Sequence, residues 1–356
     1  MSIHEPERRG IRIGRRRFLS VGVAAAGAAI WPRSAAKATE ETGMKPAVGF
    51  MTDPIYLRHI TGDGHPERPQ RLTAIIDQLK KSGLWKSLHQ IPARDATMDQ
   101  IRAVQDEKYI QAVIRDVKEG RTGLSTGDTV ICPDSLAAAI RAVGGALAAG
   151  DAVMSGKVAR AFCAVRPPGH HATRSRGMGF CIFNNVAALA RYLQKQHKLS
   201  RVLIVDWDVH HGNGTQDIFY EDGSVMYFST HQHPMYPGTG LPEEIGSGKG
   251  KGCIINCPLA RGSGDREILA AFDEQLLPAA KKFKPQFVII SAGFDARQQD
   301  SLGGLNVTDR GFAQLTARVV AIANEFAGGK LVSVLEGGYN LAGLALAAES
   351  HVQAMS

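Results

Sequence analysis

The stretch Val202-Leu203-Ile204-Val205-Asp206-Trp207-Asp208-Val209-His210-His211-Gly212 decides the fold of this chain of 356 residues. Its first four residues are aliphatic on both faces, as in a strand of a parallel sheet that helices cover on both sides. Acidic and imidazole side chains follow the strand directly. In open α/β sheets, ligands bind at the carboxyl ends of the strands. The stretch therefore predicts both a fold class and the place of a functional site.

Seven apolar runs of strand length alternate with longer amphipathic segments of helical length. This alternation predicts one doubly wound α/β domain, in which helices flank a central parallel sheet. The predicted strands are residues 47–51, 161–165, 202–205, 225–229, 253–256, 287–291 and 331–335. The predicted helices are residues 68–81, 99–119, 134–155, 184–197, 266–283 and 308–326.

Four polar motifs each follow one of the predicted strands. They are Arg166-Pro167-Pro168-Gly169-His170-His171, Asp206-Trp207-Asp208, Gly293-Phe294-Asp295 and Glu336-Gly337-Gly338-Tyr339-Asn340. The carboxyl ends of parallel strands meet at one edge of a sheet, so we expect these motifs to meet in one crevice although they are far apart in the sequence.

Three residues in these motifs have the chemistry of a metal site. Asp208, His210 and Asp295 supply two carboxylates and one imidazole, which leaves a coordination position open for water. Zinc suits this set, and iron(II) or manganese tolerates it. A metal there polarises a carbonyl and lowers the pKa of water to roughly 7. In the alternative interpretation these residues are solvated loop acids and a structural histidine, but the other polar motifs at strand ends favour the metal.

The adjacent histidines His170 and His171 are candidates for proton transfer. Hydrolysis of an amide needs a base for water and an acid for the departing amine, and histidine serves both near neutral pH. Asp206 can orient one ring and Asn213 the other. Alternatively, one histidine is a metal ligand and the other a core residue.

Aromatic residues complete the predicted site. Tyr339 follows two glycines, which allow a close approach to a ligand, and its phenol can donate to the oxyanion of a tetrahedral intermediate. Phe180 and Tyr236 can form a narrow apolar slot for an alkyl chain, although core packing explains their spacing equally well.

The first 38 residues differ in composition from the rest of the chain. They hold eight basic residues and two acids, so they carry +6 of the formal net charge of +8 and leave +2 for residues 39–356. A nearly neutral body gives no support to a nucleic-acid groove, and we predict no nucleic-acid partner.

This segment has the order of an export signal. Arg15-Arg16-Arg17 is a twin-arginine pattern, an apolar run over residues 21–31 follows, and Ala36-Lys37-Ala38 offers a cleavage point. We predict a twin-arginine signal in residues 1–38, a catalytic domain in residues 39–356, and a periplasmic or exported location. The run is shorter than the roughly 20 residues of a membrane span, so no stable membrane insertion is expected. The alternative is a disordered basic tail.

The motifs resemble those of the histone deacetylase superfamily, which includes bacterial deacetylase-like amidohydrolases and acetylpolyamine amidohydrolases. Residues 62–69 (GDGHPERP) resemble the amino-terminal signature of its class II branch, and residues 166–172, 206–216 and 336–340 resemble its central motifs. The resemblance extends from about Val48 to the end of the chain.

The resemblance implies an arginase/deacetylase fold, with a parallel sheet of eight strands between helices. It also implies zinc on Asp208, His210 and Asp295, His171 as the base beside His170, and Tyr339 as the catalytic phenol. Substrate contacts would come from the walls of an acyl-lysine tunnel and from one backbone carbonyl: Phe180, Tyr236, Leu302 and Gly179. A structural potassium ion would contact Asp206, Asp208, His210, Ser229 and the backbone of Thr230.

Two positions depart from the commonest family pattern. Asn213 stands where class I members have aspartate, although class II members also use asparagine. Tyr236 replaces the usual second phenylalanine and adds a hydroxyl group at the rim of the tunnel. Tyr339 is retained, which separates the chain from weakly active members with histidine there.

We therefore predict a zinc-dependent deacylase of N-acetylated amines, acting on a small-molecule or peptide substrate such as an acetylpolyamine or acetyl-lysine. One alternative is a ureohydrolase-like enzyme with two metal ions, which requires more acidic ligands than the motifs contain. The other is a non-catalytic protein that binds acyl amines, in which a ligand or the tyrosine would be missing. The sequence is compatible with an oligomer.

Overall fold

Eight parallel strands form one sheet in residues 48–356, the part of the chain that this computed structural model describes. The strands are β1 (Val48–Met51), β2 (His89–Ile91), β3 (Arg160–Cys163), β4 (Val202–Asp206), β5 (Val225–Gln232), β6 (Ile254–Leu259), β7 (Phe287–Ala292) and β8 (Leu331–Leu335). Their order is β2-β1-β3-β8-β7-β4-β5-β6, and every neighbouring pair is parallel. The predicted α/β class and the eight-stranded parallel sheet are confirmed. The predicted export signal lies outside the described residues.

The central strands are buried along their whole length. Every residue of β4 and β7 is buried, which explains why their sequences show no alternation of polar and apolar residues. Asp206, the last residue of β4, is in register with Ser229 of β5 and Ser291 of β7. The polar loops after β4 and β7 therefore leave the sheet at nearly the same level.

Helices flank the sheet in the described residues. They are α1 (Gln70–Lys81), α2 (Met98–Arg102), α3 (Glu107–Lys118), α4 (Ser135–Met154), α5 (Asn185–His197), α6 (Asn213–Phe219), α7 (Asp265–Ala271), α8 (Leu277–Phe283), α9 (Asp309–Phe326) and α10 (Leu341–Ala354). Helix α10 packs on α1 and α9, and α4 packs on α5.

Helix α4 is long and apolar enough to cross a membrane by length and composition alone. However, 67% of its apolar window is buried inside the protein, against β1, β3 and α5. Burial of this kind is typical of a core helix.

Two predicted helices are interrupted in the structure. The predicted helix at residues 99–119 is two helices, α2 and α3, because Asp106 has an extended backbone (φ −71°, ψ 143°) and begins α3. The predicted helix at residues 266–283 contains a π-helical turn, Phe272–Leu276, between α7 and α8. Pro278 has no N–H to continue the α-helical pattern, and the wider turn accommodates this loss.

One strand and two α-helices of the structure were not predicted from the sequence. Strand β2 has three residues and pairs only with β1, at the edge of the sheet. Helix α6 has seven residues, which are too few to show the periodicity of apolar residues that is typical of a helix. Helix α10 is apolar around most of its circumference, so it lacks the stripe that marks an amphipathic helix.

Candidate active site

The predicted metal ligands converge at the carboxyl edge of the sheet. Asp208 and His210 follow β4, and Asp295 follows β7. One ligand atom from each of the three residues lies within 4.8 Å of the others. Nδ1 of His210 is 3.1 Å from Oδ1 of Asp208 and 3.2 Å from Oδ2 of Asp295.

These donor atoms fit one divalent cation. Metal bonds of about 2.0–2.1 Å in tetrahedral geometry place ligand atoms roughly 3.3 Å apart, close to the two distances from Nδ1 of His210. Oδ2 of Asp295 is buried and makes no hydrogen bond, so it is free to bind an ion. Burial and the charge of Asp208 raise the pKa of Asp295 to about 7. A cation would remove this repulsion between the two carboxylates.

Backbone N–H groups fix both carboxylates. The N–H of His210 donates to Oδ1 of Asp208 at 2.9 Å, and the N–H of Gly337 donates to Oδ2 of Asp208 at 2.8 Å. The N–H of Val209 donates to Oδ1 of Asp295 at 2.9 Å. The loops after β4, β7 and β8 therefore hold one another in place around the candidate metal centre.

The paired histidines have different partners. Nδ1 of His170 lies 3.1 Å from Oδ2 of Asp206, and Nδ1 of His171 lies 2.8 Å from Oδ1 of Asn213. The amide oxygen of Asn213 only accepts hydrogen bonds, so Nδ1 of His171 carries the proton and Nε2 keeps a free lone pair. The two rings are 4.0 Å apart between centroids.

Their electrostatic environments also differ. Burial and the neighbouring His170 lower the pKa of His171 well below its usual range, which favours the neutral ring. Burial alone would lower the pKa of His170, but the charges of Asp208 and Asp206 raise it to about 10. The pair therefore combines a neutral ring that can accept a proton with a ring that tends to hold one.

A second buried cluster lies behind the histidine pair. His170, Cys181 and Glu336 have potential ligand atoms within 4.8 Å of one another. However, Oε2 of Glu336 already accepts the N–H groups of Gly169 and His170, at 2.7 and 3.1 Å. Burial raises the pKa of Glu336 to about 7. Glu336 and Cys181 were not among the predicted site residues, and the hydrogen bonds of Glu336 indicate support of the His170 backbone.

A cavity of about 240 Å³ opens beside the candidate ligands. It is lined by Asp128, His171, Gly179, Phe180, His210, Met235, Tyr236, Leu302 and Tyr339. All the predicted substrate-binding residues therefore border one cavity, together with His171, His210 and Tyr339. The sequence prediction omitted Asp128 and Met235, each of which is an isolated residue on a loop.

The aromatic walls of the cavity contact the candidate catalytic rings. The ring of Phe180 meets that of Tyr339 edge-on at 5.9 Å between centroids, and the ring of Tyr236 meets that of His171 edge-on at 5.2 Å. The hydroxyl group of Tyr236 donates to Oδ2 of Asp128 at 3.2 Å. A Cβ on Gly179 would lie 2.3 Å from the His171 ring, so only glycine fits there.

Tyr339 is buried and protonated. Burial and the charge of Asp295 raise the pKa of its phenol well above the usual range. The guanidinium group of Arg71 lies 5.1 Å from the centroid of its ring. The preceding Gly338 has a φ of +117°, a conformation that favours glycine. The phenol can therefore act as a hydrogen-bond donor in the cavity.

Asp206, Ser229 and Thr230, which are predicted to hold potassium, lie on the neighbouring strands β4 and β5. Asp206 and Ser229 are in register on neighbouring strands. Oγ of Ser229 is 2.9 Å from Nδ1 of His231, and Oγ1 of Thr230 is buried without a hydrogen-bond partner.

Known proteins are similar to this chain in sequence and in fold. Residues 65–355 match the family model described as histone deacetylase domain. A probable deacetylase of Archaeoglobus fulgidus is 43% identical over 297 residues, which are 83% of this chain and 82% of that protein. Histone deacetylase 10, chloroplastic, of Oryza sativa subsp. japonica is 42% identical over 79% of this chain and 67% of its own length. The crystal structure of the HDA15 HD domain is similar with a TM-score of 0.83 and 38% identity, and the similarity covers 87% of this chain and 88% of that one.

The family match includes the loops after β3, β4, β7 and β8, which carry the histidine pair, the candidate ligands and Tyr339. Sequence identity above 40% extends over most of the chain and of the two relatives named above. The chain therefore belongs to the histone deacetylase family and is a hydrolase of acetylated substrates.

Proposed function

We propose that this chain is a zinc-dependent amidohydrolase that releases acetate and a free amine from N-acetylated amines. The observation that carries the proposal is the convergence of Asp208, His210 and Asp295 beside a cavity that His171 and Tyr339 also line. Zinc would be held by these three residues, and iron(II) would tolerate the same donors.

The bound ion would supply Lewis acidity, which polarises the acetyl carbonyl and acidifies water. His171 would then take the proton of the attacking water at Nε2, because Asn213 keeps the other proton on Nδ1. A protonated histidine of the pair would deliver a proton to the amine nitrogen as the C–N bond breaks. The products are acetate and the free amine.

Tyr339 would stabilise the tetrahedral intermediate. Its phenol is protonated, lines the cavity and can donate to the carbonyl oxygen as that oxygen gains negative charge. The Gly179 carbonyl would accept the N–H of the substrate amide. Phe180, Tyr236 and Leu302 would enclose an unbranched alkyl chain, which favours acetyl-lysine or an acetylpolyamine over a branched amine.

The decisive experiment joins metal analysis with turnover. We expect one zinc ion per chain and release of acetate from an acetyl-lysine peptide or from acetylputrescine. A comparison of kcat/KM for these two substrates identifies the preferred amine. Tyr339→Phe should lower kcat by roughly 10²–10³-fold, the usual cost of losing one oxyanion donor. Two metal ions per chain would favour a ureohydrolase-like enzyme, and binding without turnover would favour an acyl-amine binding protein.

We also propose a structural potassium ion at Asp206, Ser229 and Thr230. The register of Asp206 with Ser229 on adjacent strands supports it. The ion would bind oxygen atoms at the carboxyl end of β4 and beside it on β5, including the backbone carbonyl of Thr230. Melting temperatures measured in potassium chloride and in tetramethylammonium chloride of equal ionic strength should differ, and equal values would contradict the proposal.

Residues 1–38 are proposed as a twin-arginine export signal that leads to a periplasmic or exported protein. The order of arginines, apolar run and small residues supports this proposal. Replacement of Arg15 and Arg16 by lysine should retain the protein in the cytoplasmic fraction of an expressing cell. Export of the doubly substituted chain at the normal level would contradict the signal.

A further inference from the structure

One carboxylate, that of Asp300, joins two loops that line the cavity. Its Oδ2 accepts the backbone N–H of Tyr339 at 2.7 Å and that of Asn340 at 3.0 Å. Its Oδ1 accepts the backbone N–H of Leu302 at 3.0 Å. The same side chain therefore holds the backbone of Tyr339, which carries the phenol, and that of Leu302, which lines the cavity.

The turn before Asp300 is also bound to the Tyr339 loop. Gln299 has a φ of +67°, which is rare for a residue other than glycine and persists only where surrounding contacts hold it. Its carbonyl oxygen accepts the side-chain N–H of Asn340 at 3.0 Å. The turn at residues 299–300 is therefore joined to residues 339–340 in two ways. Asp300 accepts the backbone N–H groups of Tyr339 and Asn340, and the carbonyl of Gln299 accepts the side-chain N–H of Asn340.

The backbone around Tyr339 depends on such links. Gly337 and Gly338 precede it and give the chain more conformational freedom than other residues. Asn340 follows it and caps α10 by accepting the N–H of Gly343 at 3.1 Å. Arg71 holds the carbonyl of Gly338 at 2.7 Å, so Tyr339 lies between a glycine pair fixed at that carbonyl and a fixed helix start. Neither contact holds the N–H of Tyr339 itself, which donates to Asp300.

We propose that Asp300 is a positioning residue that places the Tyr339 phenol relative to the cavity wall at Leu302. The inference rests on the proposed function, in which this phenol donates to the substrate carbonyl. In this role Asp300 accepts hydrogen bonds from backbone N–H groups and not from a candidate metal ligand. It acts through the backbone N–H groups of Tyr339 and Asn340, which belong to the two peptide groups that flank the Cα of Tyr339.

A double-mutant cycle in the zinc-loaded enzyme tests the inference. Asp300→Asn is nearly isosteric but turns an NH₂ group towards at least one of the backbone N–H groups. We expect it to lower kcat by about 10- to 100-fold, as for a misplacement of roughly 1 Å, and to leave KM nearly unchanged. In a Tyr339→Phe background the same substitution should lower kcat by less than about threefold, because the hydroxyl group that it displaces is already absent.

Binding of an alkylhydroxamic acid, measured by calorimetry, provides the same cycle when turnover is too slow to measure. Its carbonyl oxygen can accept the phenol O–H, so Asp300→Asn should weaken binding in the Tyr339 protein and not in the Tyr339→Phe protein. Asp265→Asn is the matched control. Asp265, the first residue of α7, accepts the backbone N–H of Thr308 at 2.8 Å and the hydroxyl O–H of Thr308 at 2.6 Å, and so also joins two segments that are distant in the sequence.

We expect Asp300→Asn and Asp265→Asn to lower the melting temperature of the zinc-stripped protein by similar amounts, whereas only Asp300→Asn lowers kcat. Asp300→Ser, which keeps one acceptor, enters the same cycle if Asp300→Asn does not fold. If the Asp300→Asn enzyme has the parental kcat, the inference is wrong. It is also wrong if Asp300→Asn lowers kcat equally in the Tyr339 and Tyr339→Phe enzymes. Neither result would contradict the proposed function. Full turnover by Tyr339→Phe would overturn the proposed role of the phenol and the inference with it.

Discussion

Gly337 lies so close to Asp295 that a Cβ on Gly337 would stand 2.1 Å from Oδ2 of that aspartate. The same Cβ would stand 2.6 Å from Oδ2 of Asp208. Both distances are far shorter than a van der Waals contact. Gly337 therefore sets the space between two candidate metal ligands that come from different strands.

Gly337→Ala should disrupt the metal centre. The added methyl group must displace one carboxylate, and loss of ligand alignment typically lowers metal affinity by about 10–100-fold. Zinc affinity can be measured by competition with a chromophoric chelator. Gly123→Ala is the control, because a Cβ there meets its nearest atom only at 3.8 Å. Parental affinity in Gly337→Ala would show that the carboxylates do not act as ligands in this arrangement.

Asn213→Ala should lower kcat through His171. The substitution removes the acceptor of the Nδ1 proton and lets the ring adopt the tautomer that lacks a lone pair on Nε2. We expect a loss of about 10²-fold or more, since the wrong histidine tautomer costs up to roughly 10⁴ in a hydrolase with a comparable histidine base. Steady-state kinetics measure the effect. Asn306→Ala, an exposed asparagine that donates to the Gly262 carbonyl at 3.2 Å, should retain parental kcat.

Glu67→Gln should destabilise the fold strongly. Glu67 is fully buried, and its carboxylate is bound by the guanidinium groups of Arg166 and Arg71. Although burial alone would raise its pKa, Arg166 lowers the pKa of Glu67 to about 2. Breaking one side of a buried ion pair costs about 3–5 kcal/mol. Urea unfolding measures the change in the free energy of unfolding.

The Glu67→Gln substitution should also perturb the active site. Arg71 donates to the carbonyl of Gly338 at 2.7 Å and to that of Glu336, so it supports the loop that carries Tyr339. A Glu107→Gln protein, altered at an exposed ion pair with Arg102, should unfold like the parent. Equal stability of the Glu67 and Glu107 variants would contradict the prediction.

His351 should make the fold sensitive to acid. It is fully buried between Thr316 and Ser333, with hydroxyl groups 2.7 and 2.8 Å from its ring nitrogens. Burial lowers its pKa to about 3, from 6.5 in the unfolded chain. Above pH 6.5 neither state binds a proton. Between pH 6.5 and about pH 3, only the unfolded state binds a proton. The free energy of unfolding therefore decreases by up to about 1.4 kcal/mol for each unit by which the pH is lowered in this range.

His351→Gln should remove this contribution. Urea unfolding between pH 5 and 7.5 should give a smaller decrease in stability with falling pH for the variant than for the parent. His197→Gln, altered at a half-buried histidine that contacts Asp151, controls for the number of histidines. A parental dependence on pH in His351→Gln would show that other groups account for the acid sensitivity.

The fold class was predictable because β4, β7 and β8 show their burial directly in sequence. Strand β2 and helix α10 were not, for opposite reasons. Strand β2 pairs only with β1, and its three residues are too few to show a pattern of burial in the sequence. Helix α10 packs against α1 and α9, but apolar residues such as Leu346 also lie on its exposed face, so its apolar residues form no stripe.

The candidate ligands were predictable because their loops directly follow buried strands. Asp128 and Asp300 were not, because each meets the cavity through contacts distant in sequence: Asp128 lies 108 residues from Tyr236, and Asp300 lies 39 residues from Tyr339. A lone aspartate on a loop has no local pattern that distinguishes it from a solvated one. Its partners appear only after the sheet has brought the loops together.

The loops that form the site follow four strands that are contiguous in the sheet, in the order β3-β8-β7-β4, yet in the sequence these strands are scattered between Arg160 and Leu335. No shorter stretch of chain contains a working subset of them. Regain of turnover during refolding should therefore require all four of these strands to pair, so that enzymatic activity reports assembly of this part of the sheet more strictly than helical content does.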